Sequence, residues 1–141
     1  MKQKFLQTIA SAIILLIFSL TFAFAQDKRI SFAKGKTVAV VSGKLKKGGE
    51  TQYVFRARKG QRAIIKLTAD NNDNDTYFSL AYADGFEAVF LDFKGRKYYT
   101  QEEVETVFWD GRLPKSDEND YYIRVVSKKR AVGYKLEVTL K

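Results

Sequence analysis

The chain reads as an all-β protein, an antiparallel β-sandwich of eight or nine strands with a jelly-roll-like course, following an N-terminal signal helix. Three observations predict it. Most segments after residue 26 alternate apolar and polar residues with a period of two, the pattern of strands buried on one face. Turn residues recur between these segments: Lys34-Gly35, Lys47-Gly48-Gly49, Lys59-Gly60-Gln61, Asp84-Gly85, Lys94-Gly95 and Asp110-Gly111. No stretch after residue 26 keeps a helical apolar period for more than about one turn.

The N-terminus comes first in chain order. Lys2 and Lys4 precede an apolar run over 9–18, and Ala23-Phe24-Ala25 supplies the small-x-small pattern before Gln26. Residues 1–25 are therefore expected to be a cleaved export signal, and 26–141 a single β-sandwich domain. A spanning helix needs about 20 apolar residues; Gln7, Thr8, Ser11, Ser19 and Thr21 break this run. The chain has no Cys, so no lipid is attached at the cleavage point and no stable membrane anchor is expected after cleavage. The expected location is periplasmic or secreted.

Four strands are clean. Tyr53, Phe55 and Ala57 share one face, opposite Gln52, Val54 and Arg56. Ala63, Ile65 and Leu67 alternate with Arg62 and Lys66. Tyr121, Ile123 and Val125 alternate with Tyr122, Arg124 and Val126, and Tyr134, Leu136, Val138 and Leu140 with Lys135, Glu137 and Thr139. Weaker strand patterns run over 29–33, 37–45, 76–82, 88–93 and 105–109. Residues 100–103 have the spacing of a capping box and predict a short helical turn. The least regular region, 86–104, predicts an elaborated connection, and loops of that length are often functional.

Composition narrows the chemistry. The chain carries 25 Lys and Arg against 16 Asp and Glu. Export makes nucleic acid an unsuitable partner for this basic charge and leaves anionic glycans, anionic lipid surfaces or an acidic protein cleft; a soluble surface explains the charge equally well. With neither His nor Cys, the Ser-His and Cys-His nucleophile pairs and the usual zinc ligand sets are excluded. Paired carboxylates suffice for glycoside hydrolysis, but the neighbouring Glu102, Glu103 and Glu105 do not by themselves make opposed acid and nucleophile positions. No enzyme activity and no cofactor are expected.

Asp70, Asn72 and Asn74 follow the alternating ligand spacing of a calcium loop. That motif's glycine and closing glutamate are missing, with Ala81 where the glutamate belongs. An Asx-rich turn is the favoured reading and no metal site is expected. Ser127, Lys128, Lys129 and Arg130 form a basic hairpin tip before Ala131, Val132 and Gly133. Such a tip can meet carboxylates in an acidic cleft or simply solvate a hairpin and discourage edge association. Lys44, Lys46 and Lys47 make a second basic turn with the same two readings. Tyr99 and Tyr122 are candidate stacking platforms for sugar rings, although strand packing also accounts for them.

Several segments together carry a resemblance: Phe32-Ala33-Lys34-Gly35, Val41-Ser42-Gly43-Lys44-Leu45, and the run from Tyr53 through Lys59-Gly60-Gln61. Gly111-Arg112-Leu113-Pro114, Tyr122-Ile123-Arg124-Val125 and Tyr134-Lys135-Leu136-Glu137-Val138 complete it. In this order the chain resembles the exported β-sandwich of bacterial pre-peptidase C-terminal domains and of periplasmic inhibitors of goose-type lysozyme. The resemblance implies a non-catalytic binding protein. Its inhibitor branch implies a lysozyme-like enzyme as partner, with Ser127, Lys128, Lys129 and Arg130 as the loop that plugs the acidic cleft. Its pre-peptidase branch implies instead a module that binds envelope glycan. An inhibitor motif, Ser-Gly-x-Tyr after Leu-Pro, is replaced here by Ser116-Asp117-Glu118-Asn119-Asp120-Tyr121. Its three carboxylates would repel a catalytic glutamate set against them.

Overall fold

The computed structural model describes residues 27–70, 75–84, 87–91, 97–98 and 105–141. The expected signal helix over 1–25, the helical turn over 100–103 and the Asx-rich stretch 71–74 lie outside them, as do Gly85, Phe86, 92–96 and Tyr99. The described residues form ten strands and no helix: β1 Lys28–Arg29, β2 Val38–Leu45, β3 Glu50–Arg56, β4 Arg62–Ala69, β5 Thr76–Asp84, β6 Glu87–Leu91, β7 Lys97–Tyr98, β8 Phe108–Arg112, β9 Asp120–Ser127 and β10 Val132–Leu140. They build two sheets, one in the order β1-β3-β9-β5-β6-β7 and one in the order β2-β10-β4-β8. Apart from β5-β6-β7, successive strands lie in opposite sheets, which gives the expected jelly-roll-like course. The pairing is antiparallel except between β1 and β3, which run parallel.

The core lies between the sheets and follows the alternation of the sequence. Tyr53, Phe55, Phe78, Leu80, Tyr121 and Ile123 point inward from the larger sheet, and Ile65, Trp109, Leu136 and Val138 from the smaller. Phe55 and Tyr121, directly opposed across β3 and β9, stack with ring centroids 5.5 Å apart. With no disulfide to help, this contiguous apolar burial is the main favourable term.

Two strand boundaries differ from the alternation pattern. The segment 29–33 keeps only Lys28–Arg29 as strand. Ile30 still donates its amide to the Val54 carbonyl at 2.8 Å and is buried, and the chain then turns at Gly35, whose φ of 74° suits glycine. The pattern over 105–109 becomes a strand only at Phe108. Thr106 exchanges both backbone bonds with Phe78 of the larger sheet, while the Val107 carbonyl accepts from Leu67 of the smaller. These residues step between sheets, so alternation begins before either ladder is established.

Two separate segments of the resemblance, Lys59-Gly60-Gln61 and Leu113-Pro114, bind each other. Gly60 donates to the Leu113 carbonyl at 2.8 Å, and Leu113 donates to the Gln61 carbonyl at 2.9 Å. Beyond Pro114, the Ser116 hydroxyl donates to the Asp120 carbonyl at 2.8 Å, Asn119 takes φ 57°, and the Tyr121 hydroxyl donates to the Pro114 carbonyl at 2.5 Å. A tyrosine near a strand start bonded back to upstream backbone is a corner that fixes how the chain enters the strand. Asn119 serves because its short amide tolerates the left-handed region. Tyr121→Phe is expected to cost about 1–2 kcal/mol of stability by leaving the Pro114 carbonyl partnerless. Urea unfolding measures this, and a loss below a few tenths would show that the corner is held by packing alone.

Candidate functional site

The basic hairpin sits where β9 ends and β10 begins. Ser127 is fully buried; its amide donates to the Gly49 carbonyl at 3.0 Å and its hydroxyl to the Arg130 carbonyl at 2.7 Å. Ser127 thus shapes the turn, and the three exposed side chains are Lys128, Lys129 and Arg130. The turn is strapped to its neighbour, since Lys128 donates its amide to the Asp75 carbonyl at 3.0 Å and Asp70 donates to the Gly133 carbonyl at 2.9 Å.

Lys128 and Lys129 each face a carboxylate within the chain. Lys128 Nζ lies 2.6 Å from Glu105 Oε1 and 4.8 Å from the centre of the Tyr77 ring. The hydrogen bond to Glu105 raises the Lys128 pKa, against a smaller opposing effect of desolvation, so its charge is secure at any physiological pH. Lys129 Nζ lies 3.4 Å from Asp75 Oδ1. The Lys128–Glu105 pair is about half-exposed on both sides and contributes about 0–1 kcal/mol, so an external carboxylate can replace Glu105 at small cost.

The fold also joins the two basic turns that are far apart in sequence. Val132 pairs with Leu45 and Gly133 with Lys44 across β10 and β2, and the Ser127–Gly49 bond closes the end. Lys44, Lys46 and Lys47 are exposed, and none has an ion-pair partner among the described residues. One end of the sandwich therefore carries six cations on two adjacent turns. Glu105 and Asp75, which orient Lys128 and Lys129, were not legible beforehand, because nothing in the local sequence links them to the hairpin.

The acidic segment lies elsewhere. β9 begins at Asp120 and ends at Ser127, so the two features are separated by a strand length of about 23 Å. Asp120 is buried and accepts from both terminal nitrogens of Arg29, at 3.2 and 3.1 Å, and from Arg56 Nε at 3.4 Å. Its carboxylate is neutralised within the protein, and Asp117, Glu118 and Asp120 lie at the end of β9 away from the hairpin. Of the two candidate stacking tyrosines, Tyr122 is half-buried in the larger sheet and Tyr99 lies outside the described residues. Among the described residues, no group of acidic side chains is arranged to hold a metal ion.

This architecture is that of a small two-sheet β-sandwich, and solved structures share it. PliG, a periplasmic inhibitor of g-type lysozyme from Aeromonas hydrophila, aligns with 82% of this chain and 96% of its own, at TM-score 0.59 and 21% identity. The PliG of Salmonella Typhimurium aligns with 82% of this chain and 98% of its own, at TM-score 0.54 and 20% identity. The Yersinia pseudotuberculosis-derived mitogen aligns with 74% and 86%, at TM-score 0.55 and 12% identity. At these identities the likeness is one of fold. No protein-family model matches the chain, and no curated protein matches its sequence.

Proposed function

We propose that the protein, freed of residues 1–25 by export, is a non-catalytic inhibitor of a lysozyme, seating its basic end in the enzyme's acidic cleft. The observation that carries this reading is the convergence of Lys44, Lys46 and Lys47 with Lys128, Lys129 and Arg130 on adjacent turns. The fold it shares with periplasmic g-type lysozyme inhibitors supports it. Lysozyme clefts carry carboxylates that must ionise or hold a proton for turnover. Cations placed against them block the site sterically and oppose the protonated state. Ser127 holds the turn, Lys128 and Lys129 exchange Glu105 and Asp75 for carboxylates of the enzyme, and Arg130 adds a planar donor.

The test is an activity titration of a g-type lysozyme with purified protein. Activity is expected to fall at micromolar protein, and the triple variant Lys128→Ala, Lys129→Ala, Arg130→Ala to need at least tenfold more. Raising salt should weaken the wild-type protein more than the variant. Undiminished lysozyme activity at micromolar protein rejects the reading.

A further inference from the structure

The end of the sandwich opposite the hairpin holds an open cleft of about 470 Å³ between the 30–37 segment, the β3–β4 turn and Asn119. Its floor is apolar, from Phe32, Ala57 and the buried Leu140, and its walls carry Lys36, Arg56 and Arg58. The nearby Asp120 is already occupied by Arg29, with Arg56 reaching it only at 3.4 Å. Among the described residues, neither Lys36 nor Arg58 has a side-chain ion-pair partner. Gln61 accepts from the Arg58 amide through Oε1 at 3.1 Å, which leaves its amide nitrogen as a donor on the wall. Exposed cations without an ion-pair partner beside an apolar floor match the composition of a small-ligand site, and the volume suits one or two sugar rings.

We infer that this cleft binds an anionic sugar, its carboxylate or sulfate between Lys36 and Arg58, the C–H face of its ring on Phe32, and its hydroxyls on Gln61 and Asn119. A free inorganic anion would use the cations but not the floor. A neutral sugar would use the floor but leave the cations uncompensated. The inference does not depend on lysozyme inhibition, since the cleft and the hairpin occupy opposite ends of β9. A protein with both sites could sit on an acidic envelope polymer while its other end remains open to an enzyme.

Calorimetric titration of the purified protein with a uronate disaccharide, a sulfated disaccharide, a neutral disaccharide and inorganic phosphate tests this. One or both acidic disaccharides are expected to bind at least tenfold more tightly than the neutral sugar and phosphate, and the arm that binds identifies the anion. The double variant Lys36→Gln, Arg58→Gln should lose at least tenfold in that affinity while its thermal midpoint and its effect on lysozyme stay unchanged. Both residues are at the surface, so folding is not at risk. Equal binding of acidic and neutral sugars, phosphate binding as tightly as the acidic sugars, or unchanged affinity in the double variant each overturns the inference.

Discussion

Asp120→Ala is expected to lower the unfolding free energy by about 2–3 kcal/mol, read from urea denaturation at neutral pH. The carboxylate is 7% exposed and accepts three hydrogen bonds from Arg29 and Arg56. Breaking a fully buried pair costs about 3–5 kcal/mol. Here both arginines reach water, with side chains 50% and 67% exposed, so neither is stranded as a buried charge and the loss falls short of that range. The substitution also frees β1, which Arg29 tethers to the corner, and loosens the entry to β9. Asp120→Asn keeps the shape and some of the hydrogen bonding and should cost less.

The same residue gives a pH signature. The hydrogen bond from Arg29, outweighing an opposing effect of burial, holds the Asp120 pKa below the usual carboxylate value. In the unfolded chain Asp120 takes up its proton near pH 3.9, whereas in the folded protein it does so only at lower pH. Its stabilising contribution is therefore complete above about pH 4–5 and is lost as pH falls through the folded value. Asp120→Ala should flatten stability against pH in that acidic window. It should not abolish the slope, because Arg62 likewise depresses Asp110 through hydrogen bonds at 2.7 and 2.6 Å. An unchanged slope in the variant would show that the Arg29 pair does not persist in solution.

The parts of the fold legible in the sequence are those where one physical rule acts alone. β3, β4, β9 and β10 alternate cleanly because each packs one face on the core. Even there the rule is incomplete: Val54 and Val126, on the outer face, are buried at 5% and 8% exposure. The shift of β8 to Phe108 comes from long-range backbone bonds to Phe78 and Leu67, which no local pattern encodes. The basic hairpin was visible as three consecutive cations. Its union with Lys44–Lys47 required the β2–β10 register, and its pairing with Glu105 and Asp75 required the tertiary fold. The cleft of Lys36, Arg56 and Arg58 left no trace in sequence, because its cations are dispersed over two connections and are unremarkable one by one in so basic a chain. The pairing of Asp120 with Arg29 and Arg56 was equally hidden, because it joins residues far apart in the sequence.

Gly43→Ala is expected to cost about 3 kcal/mol, as much as a core truncation, although it adds a single methyl group on an edge strand. Gly43 is paired directly with Tyr134 across β2 and β10, and the tyrosine ring lies over the glycine. A Cβ at this position would stand 2.5 Å from Tyr134 Oη and 2.7 Å from Cζ. The ring cannot swing away freely. Tyr134 is buried, and its hydroxyl shares a 2.7 Å hydrogen bond with that of Tyr53 from the opposite sheet. Burial, reinforced by that bond, raises the Tyr134 pKa, so its hydroxyl stays protonated throughout the physiological range. Alanine thus imposes overpacking and also pulls apart a buried hydroxyl pair. β2 cannot relieve the strain by moving outward, because Ala39 and Leu45 on either side are anchored in the core. The contrast with Gly48 is diagnostic: a Cβ there meets nothing within 4 Å, and only its φ of 68° opposes substitution. Gly48→Ala should cost about 1 kcal/mol. If crowding by the ring is the cause, Tyr134→Leu combined with Gly43→Ala will be more stable than the sum of the two single losses, by at least about 1 kcal/mol. Strict additivity would place the cost in the β2 backbone instead. Because Gly43 leads into the Lys44–Lys47 turn, the same substitution also tests whether the basic end needs this strand held in register.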